Sequence, residues 1–521
     1  MLVSDIVRRN AIFFPDNDAV VIPGDRTISW AQLDERTDQL ARGFGELGLG
    51  KGDRVAAYAL NRAEYLEFFF ACAKSGVIGA ALNARLAPSE LRAYLDYVEP
   101  GAILVDVDLN EQADSFLPDV SSIEHVIGVG ADHGRATDYE QLVQAQDAAE
   151  PDVTVYDTDP YQLGATSGTT GVPKAAVLTH RNAIAAMLNW LAEIPSQEGG
   201  TNLQNIPLFF NPGGPAGLHP VLMKGGRSVI FPAFDPGNFL RAIGEYGVTH
   251  SILVPTMVGM VLHHPEAEQH DVSTLRAVML GGSPLPQEYL RRGREVLGDV
   301  FYPLYGMAES YSCGTILRPE NQFTEGTEAQ LRRLSSAGKP NVLMEVRVVG
   351  DDGKDVPRDN TTGGEVWLRG DTVSPEYFRM PEETAISREG DWFKSGDVAV
   401  VDDEGFMTIV DRMKDVIITG GINVFSREVE EVLHEHPAVA QVAVIGIPSD
   451  KWGEAIHAVV VLAPGAEATE EELQTFAAER LADYKKPRSV EIRSELPVGG
   501  TGKILKKELR APYWEGQERQ V

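Results

Sequence analysis

Thr166-Ser167-Gly168-Thr169-Thr170-Gly171-Val172-Pro173-Lys174 gathers three threonines, a serine, two glycines and a lysine within nine residues. Apolar runs flank it, Tyr161 to Ala165 before and Ala175 to Leu178 after, and both read as strands. Glycines let successive backbone N–H groups turn toward one point, hydroxyls add donors, and Lys174 adds positive charge. Together these make a phosphate cradle between two strands. A surface linker accounts for Gly, Ser and Thr equally well. It does not account for a Pro-Lys ending that runs straight into an apolar strand.

Outward from this loop, helical and strand patterns alternate. Trp30 to Leu47 repeats its apolar residues at helical spacing, and Arg54 to Leu60 then reads as a strand. Phe68 to Leu82 reads as a buried helix running into a strand. Ala102 to Val105, His125 to Val129, Ser228 to Phe231, Ser251 to Val254 and Ala277 to Leu280 are short apolar runs after helical or turn segments. This is the texture of a wound α/β body. From Val342 it changes to hairpins, with Met344 to Val349, a turn at Asp351-Asp352-Gly353, and Gly364 to Leu368, which predicts a β-rich subdomain. Beyond the strand Phe406 to Val410 and the polar Asp411 to Asp415 lies a self-contained α+β unit. It is predicted to hold helix Ser426 to His434, strands Val439 to Ile445 and His457 to Leu462, and helix Thr469 to Leu481. The expected domains are therefore 1–413 and 414–521.

The 521 residues exceed the usual domain size about three-fold, and 43% hydrophobic with 24% charged residues is an ordinary globular balance. Asp and Glu outnumber Lys and Arg by 77 to 46, a formal charge of −31. Such a surface repels nucleic acid and anionic lipid. Cys72 and Cys313 are too few and too far apart for a disulfide framework or thiolate metal site, which fits a reducing cytoplasm. No signal-peptide pattern opens the sequence, no apolar run reaches the ~20 residues a bilayer requires, and Glu518 to Val521 is no organelle address. No integral membrane contact is expected, and a homodimer is left open.

Two motif spellings are decoys. Gly43-Phe44-Gly45-Glu46-Leu47-Gly48 fits GxGxxG, but it follows a helix and precedes a strand, the reverse of the dinucleotide-binding context. His434-Glu435-His436 ends at Pro437 with no supporting cysteine or histidine pair, and reads as a solvated helix end.

The nonapeptide resembles the phosphate loop of the adenylate-forming superfamily, which includes acyl- and aryl-CoA synthetases, amino-acid adenylation domains and beetle luciferases. Five further motifs follow in that family's order: Gly281-Gly282-Ser283-Pro284, Tyr305-Gly306-Met307-Ala308-Glu309, Phe393-Lys394-Ser395-Gly396-Asp397, Arg412-Met413-Lys414-Asp415 with Gly420-Gly421-Ile422-Asn423-Val424, and Gly500-Thr501-Gly502-Lys503-Ile504. The resemblance implies a large N-terminal adenylation domain and a small mobile C-terminal domain hinged at Lys414. It implies two half-reactions: a carboxylate attacks the α-phosphate of Mg-ATP, and a thiol then displaces AMP from the acyl-adenylate. ATP or acyl-adenylate and coenzyme A are the implied cosubstrates.

The same resemblance assigns roles. Lys503 bridges substrate carboxylate and α-phosphate. Glu309 holds Mg²⁺. Asp397, with Arg412 beside it, accepts the ribose hydroxyls, and Tyr305 stacks on adenine against the Gly282-Ser283 backbone. Rotation about Lys414 withdraws Lys503 and brings Gly420-Gly421 to the pantetheine arm. Tyr484-Lys485-Lys486-Pro487-Arg488 resembles a segment that receives the CoA nucleotide in some aryl-CoA ligases. It lies in a basic island, residues 480–510, with nine Lys or Arg against four acids, a net of +5. A solubilising basic face is the other reading of that island.

Three departures from the family pattern cluster on the ATP step. Ala308 replaces a usual Thr, Pro303 replaces a frequent amide side chain near adenine, and Phe210 replaces a frequent His near the carboxylate and thiol path. They keep open a ligase weak in adenylation that transfers a preformed acyl-adenylate, and more distantly a non-catalytic adenylate-binding paralogue. Asn211-Pro212-Gly213-Gly214-Pro215-Ala216-Gly217 brings little side-chain volume to the expected acyl pocket, and no Asp stands there for an α-amine. A bulky apolar carboxylic acid is the expected substrate.

Overall fold

The computed structural model describes residues 1–166, 174–210, 220–282, 285–499 and 504–515. They form two compact units, one of Met1–Val346 with Leu368–Phe393 and one of Arg347–Trp367 with Lys394–Val521. The β-rich stretch before Lys414 thus divides between them, and residues 394–413 pack with the C-terminal unit.

In the first unit, helix Trp30–Glu46 shows how local chemistry sets an element. The Ser29 hydroxyl accepts the Gln32 N–H, and the Gln32 side chain accepts the Ser29 N–H in return. This capping box satisfies two donors that helix geometry leaves orphaned. Trp30, Leu33, Leu40 and Phe44 recur on one face and are fully buried, each contributing about 1.5–3 kcal/mol. The GxGxxG spelling falls on this helix's last turn, with Gly43 packed 3.0 Å (from an ideal Cβ) to Leu142, so those glycines serve helix packing and termination. Helix Ala63–Ser75 is buried on every side and runs into strand Ile78–Ala81.

Among the described residues, two large sheets carry this unit. One has nine strands, whose parallel centre runs Phe301–Tyr305, Ala277–Leu280, His250–Leu253, Thr201–Gln204, Arg227–Ile230 and Asp18–Ile22. The other has seven, in which Arg54–Tyr58, Ile78–Ala81, Ala102–Asp106 and His125–Val129 are parallel and Pro160–Thr166 pairs antiparallel with Lys174–Thr179. Ligands of such sheets bind outside the carboxyl ends of the strands. Gly281-Gly282 follows Ala277–Leu280, Gly306 follows Phe301–Tyr305, and the segment to Phe210 follows Thr201–Gln204, all at one sheet edge.

In the second unit, strands Ile417–Thr419, Ile422–Val424, Val439–Ser449, Gly453–Leu462 and Ser489–Arg493 form one sheet. Alternation along the longest strand sorts its two faces. Val442 and Val444 pack with Val429 and Leu433 of helix Ser426–His434 and Leu473 and Ala477 of helix Glu470–Ala478. Ala443 and Ile445 pack with Leu496 and Leu509 of the tail. The two central strands run longer than their apolar cores suggest, to Ser449 and from Gly453. Strand Met407–Arg412 also extends through residues that read as a polar linker. No helix among the described residues is long and apolar enough to cross a membrane.

Candidate active site

The phosphate-loop motif is anchored by its two ends. Thr166 closes strand Pro160–Thr166 and Lys174 opens strand Lys174–Thr179; they are paired in register, and the Thr166 hydroxyl donates to the Lys174 carbonyl at 3.3 Å. Ser167, Gly168, Thr169, Thr170 and Gly171 lie outside the described residues, as do Ser283, Pro284 and Lys503.

Glu309 arrives from the other sheet. It sits in a 3-10 turn, Ala308–Ser310, that follows Tyr305-Gly306-Met307 and rests against both strands flanking the phosphate loop. A close approach makes this turn possible: a Cβ on Gly306 would lie 2.3 Å from the Ser312 carbonyl. Tyr311 and Ser312 then take left-handed backbone conformations, φ +53° and +63°, a strained pair just behind the glutamate. Strain of this kind persists where surrounding packing over-determines it, and Tyr311 is fully buried with its hydroxyl on Gln162.

Tyr377, which sequence reasoning missed, joins the two halves. Its hydroxyl donates to Glu309 Oε1 at 2.7 Å, and its ring lies 5.2 Å beneath the Lys174 ammonium. Burial first, then the Glu309 charge, pushes its phenol well above the usual range, so it stays a donor. Lys174 also pairs with Glu383 from helix Pro381–Ile386. The Ser374 N–H donates to the Glu309 carbonyl at 2.6 Å, fixing the backbone as Tyr377 fixes the side chain. No sequence spacing signals these contacts, since 68 residues separate Tyr377 from Glu309.

Among the described residues no group of three or more His, Cys, Asp or Glu could form an all-protein metal cage. A single carboxylate does fit Mg²⁺, which keeps water and phosphate oxygens in most of its octahedral positions.

Pro303 and Tyr305 share one face of strand Phe301–Tyr305 by their two-residue spacing. Phe210 closes a turn whose N–H donates to the Pro207 carbonyl, stands edge-on to Phe209 with ring centroids 4.7 Å apart, and has the Arg85 guanidinium 5.7 Å away. This aromatic pair offers apolar surface and no proton acceptor. Asn61 ties the segment down, accepting the Leu208 N–H at 2.7 Å.

The second unit carries the remaining motifs. Arg412 Nε lies 3.3 Å from Asp397 Oδ1, across strands that pair the two residues directly. Lys414 follows in the 3-10 turn Met413–Asp415, where burial, aided by Arg412 and Arg510, brings its ammonium down to about 8. Gly420 and Gly421, φ +60° and +80°, make the two-residue turn between strands Ile417–Thr419 and Ile422–Val424, a conformation that favours glycine. Trp452 flanks this turn. Its carbonyl accepts the Gly420 N–H at 2.8 Å, and its ring stacks with Lys451 and Arg488 at 4.5 and 4.6 Å.

Much of the basic island is neutralised inside the unit. Lys485 pairs with Glu428, Lys486 and Arg488 with Asp483, Arg493 with Glu491, Lys506 with Glu430, and Arg510 with Asp415. Tyr484 remains exposed beside them. Net charge overstated what the segment offers a polyanion, whereas the Trp452–Arg488 stack is a defined surface.

Comparison with known proteins covers both units. The model of the AMP-binding enzyme family matches residues 7–378, and that of the AMP-binding enzyme C-terminal domain matches 428–503. A feruloyl-CoA synthase of an Amycolatopsis species is 37% identical over 94% of this chain and 95% of its own. The long-chain-fatty-acid–CoA ligase FadD13 of Mycobacterium tuberculosis is 33% identical over 98% of each chain. Among solved structures, the o-succinylbenzoate CoA synthetase of Bacillus subtilis, in complex with its acyl-adenylate intermediate, superposes with TM-score 0.84 at 28% identity over 97% of both chains.

Proposed function

The chain belongs to the AMP-binding enzyme family, and from that premise we propose that it is an acyl-CoA ligase acting on a bulky apolar carboxylic acid in two half-reactions. The observation that carries this reading is the meeting of Thr166 and Lys174 with Glu309 through Tyr377. A loop built to hold phosphates and a carboxylate suited to a hard cation are useful together only for a nucleotide polyphosphate.

In the first half-reaction a carboxylate oxygen attacks the α-phosphorus of ATP, and pyrophosphate leaves. Lys174 and the loop hydroxyls hold the phosphates, Tyr305 supports adenine, and Asp397 with Arg412 fixes the ribose. Lys503 neutralises charge on the attacking carboxylate and the α-phosphate as it grows. Mg²⁺ held by Glu309 would supply charge neutralisation across the phosphate oxygens. In the second half-reaction a CoA thiolate attacks the acyl carbonyl and AMP leaves, completing a thioester. Lys414 is the proposed hinge, and Gly420-Gly421 with the Tyr484, Lys486 and Arg488 region faces CoA. Phe210 and Phe209 supply apolar wall to the acyl group.

One set of observations favours a second reading, a ligase weak in adenylation that takes a preformed acyl-adenylate. Ala308 offers no hydroxyl, Pro303 offers no amide on the Tyr305 face, and Phe210 accepts no proton. One missing hydrogen bond to a charged group costs about 1.5–3 kcal/mol. The test follows the half-reactions separately: pyrophosphate release from a panel of aromatic, terpenoid and fatty acids with ATP, and thioester formation from synthetic acyl-adenylates with CoA. Robust pyrophosphate release removes the second reading. A best substrate that is small and linear removes the pocket argument.

A further inference from the structure

We infer that Tyr377 is a positioning residue for the Glu309 carboxylate and thereby sets the affinity of the nucleotide site for divalent cation. This rests on the reading of Glu309 as the metal-holding carboxylate.

A glutamate at the rim of an open site loses side-chain freedom when it takes up a cation, and that loss weakens binding unless the carboxylate is already held. Here it is held. The Tyr377 hydroxyl donates to Glu309 Oε1 at 2.7 Å, and Tyr377 is 8% exposed. The tyrosine is itself fixed on every side. Its backbone bridges to Ala176 in the strand that starts at Lys174, and its N–H donates to the Thr384 hydroxyl at 3.0 Å. Its ring packs under the Lys174 ammonium. Donor and acceptor are thus tied to two different sheets, Tyr377 through its bridge to Ala176 and Glu309 through the turn after strand Phe301–Tyr305, and meet where a nucleotide polyphosphate would lie. Loss of the hydroxyl removes this one hold on the carboxylate while leaving the ring, its packing and the Lys174 contact in place.

The test is calorimetric ATP binding by the full chain across a Mg²⁺ series, compared between wild type and Tyr377→Phe. The substitution is expected to raise the Mg²⁺ concentration for half-maximal ATP binding about 10-fold, the loss typical of one hydrogen bond to a charged group. AMP binding without metal is expected to change less than about 2-fold. Tyr377 acts through Glu309, so in a Glu309→Gln background the same substitution is expected to have almost no further effect. A Mg²⁺ dependence unchanged by Tyr377→Phe overturns the inference, as does an equal, independent loss in the Glu309→Gln background. Wild-type ATP binding that ignores Mg²⁺ overturns instead the reading of Glu309 on which the inference rests.

Discussion

Asp397 and Arg412 face each other across two antiparallel strands, with guanidinium Nε 3.3 Å from carboxylate Oδ1 and their Cα positions paired in register. The arginine lies beside a carboxylate that is largely buried, Asp397 being only 8% exposed. If that carboxylate accepts the ribose hydroxyls, Asp397→Asn loses charge-assisted hydrogen bonds while keeping shape. AMP affinity measured by calorimetry is expected to fall about 10- to 100-fold. An unchanged affinity would contradict the assignment.

Lys414 yields a prediction about pH. Burial first, with Arg412 and Arg510 adding, lowers its ammonium from 10.5 to about 8. Between those values the unfolded chain binds more protons than the folded one, so this group's contribution to stability rises with pH through that window. Below pH 8 both forms are charged and the full cost of burying the ammonium stands. Lys414→Met is expected to raise stability in urea at pH 7 by about 1 kcal/mol, discounted for the solvent the side chain retains. The gain shrinks by pH 9.5. A variant no more stable than wild type at pH 7 would contradict this.

His180 has a pH dependence of the same sign, displaced to acid pH. It is fully buried and its Nδ1 accepts the Val3 N–H at 3.2 Å, so burial keeps the ring neutral and drives it down to about 4. As pH falls from about 6.5 toward 4 the unfolded chain takes up the proton that the folded chain refuses, and up to about 3 kcal/mol of stability is lost. His180→Gln keeps an acceptor and does not titrate. Its stability measured across pH 4 to 6.5 is expected to be flatter than that of wild type, and parallel slopes would contradict the role.

The parts of this molecule that were legible in its sequence are those whose chemistry is local. Strands His125–Val129 and Ala277–Leu280 and helix Ser426–His434 have the bounds their apolar patterns suggest, because each is set by burial of neighbouring residues. Gly420-Gly421 stands out in the sequence only as a motif, and the two-residue turn it makes between two short strands is not read from it. Strand Met407–Arg412 was only half legible. Asp411 reads as linker, yet it is buried and accepts both the N–H and the hydroxyl of Ser426. A polar residue satisfied by a distant partner looks like surface until the partner is known. Tyr377 and Glu383 belong to the same class. They meet Glu309 and Lys174 only through the fold, so no spacing announces them.

The most direct test of the two-step account is Lys503→Ala assayed on each half-reaction separately. Wild type is expected to release pyrophosphate from its acid with ATP and to form thioester from the acyl-adenylate with CoA. The variant is expected to lose roughly 100-fold or more in pyrophosphate release, the scale for removing a group that stabilises developing charge, while thioester formation changes less than about 3-fold. Equal loss in both half-reactions, or undiminished pyrophosphate release, would contradict the account.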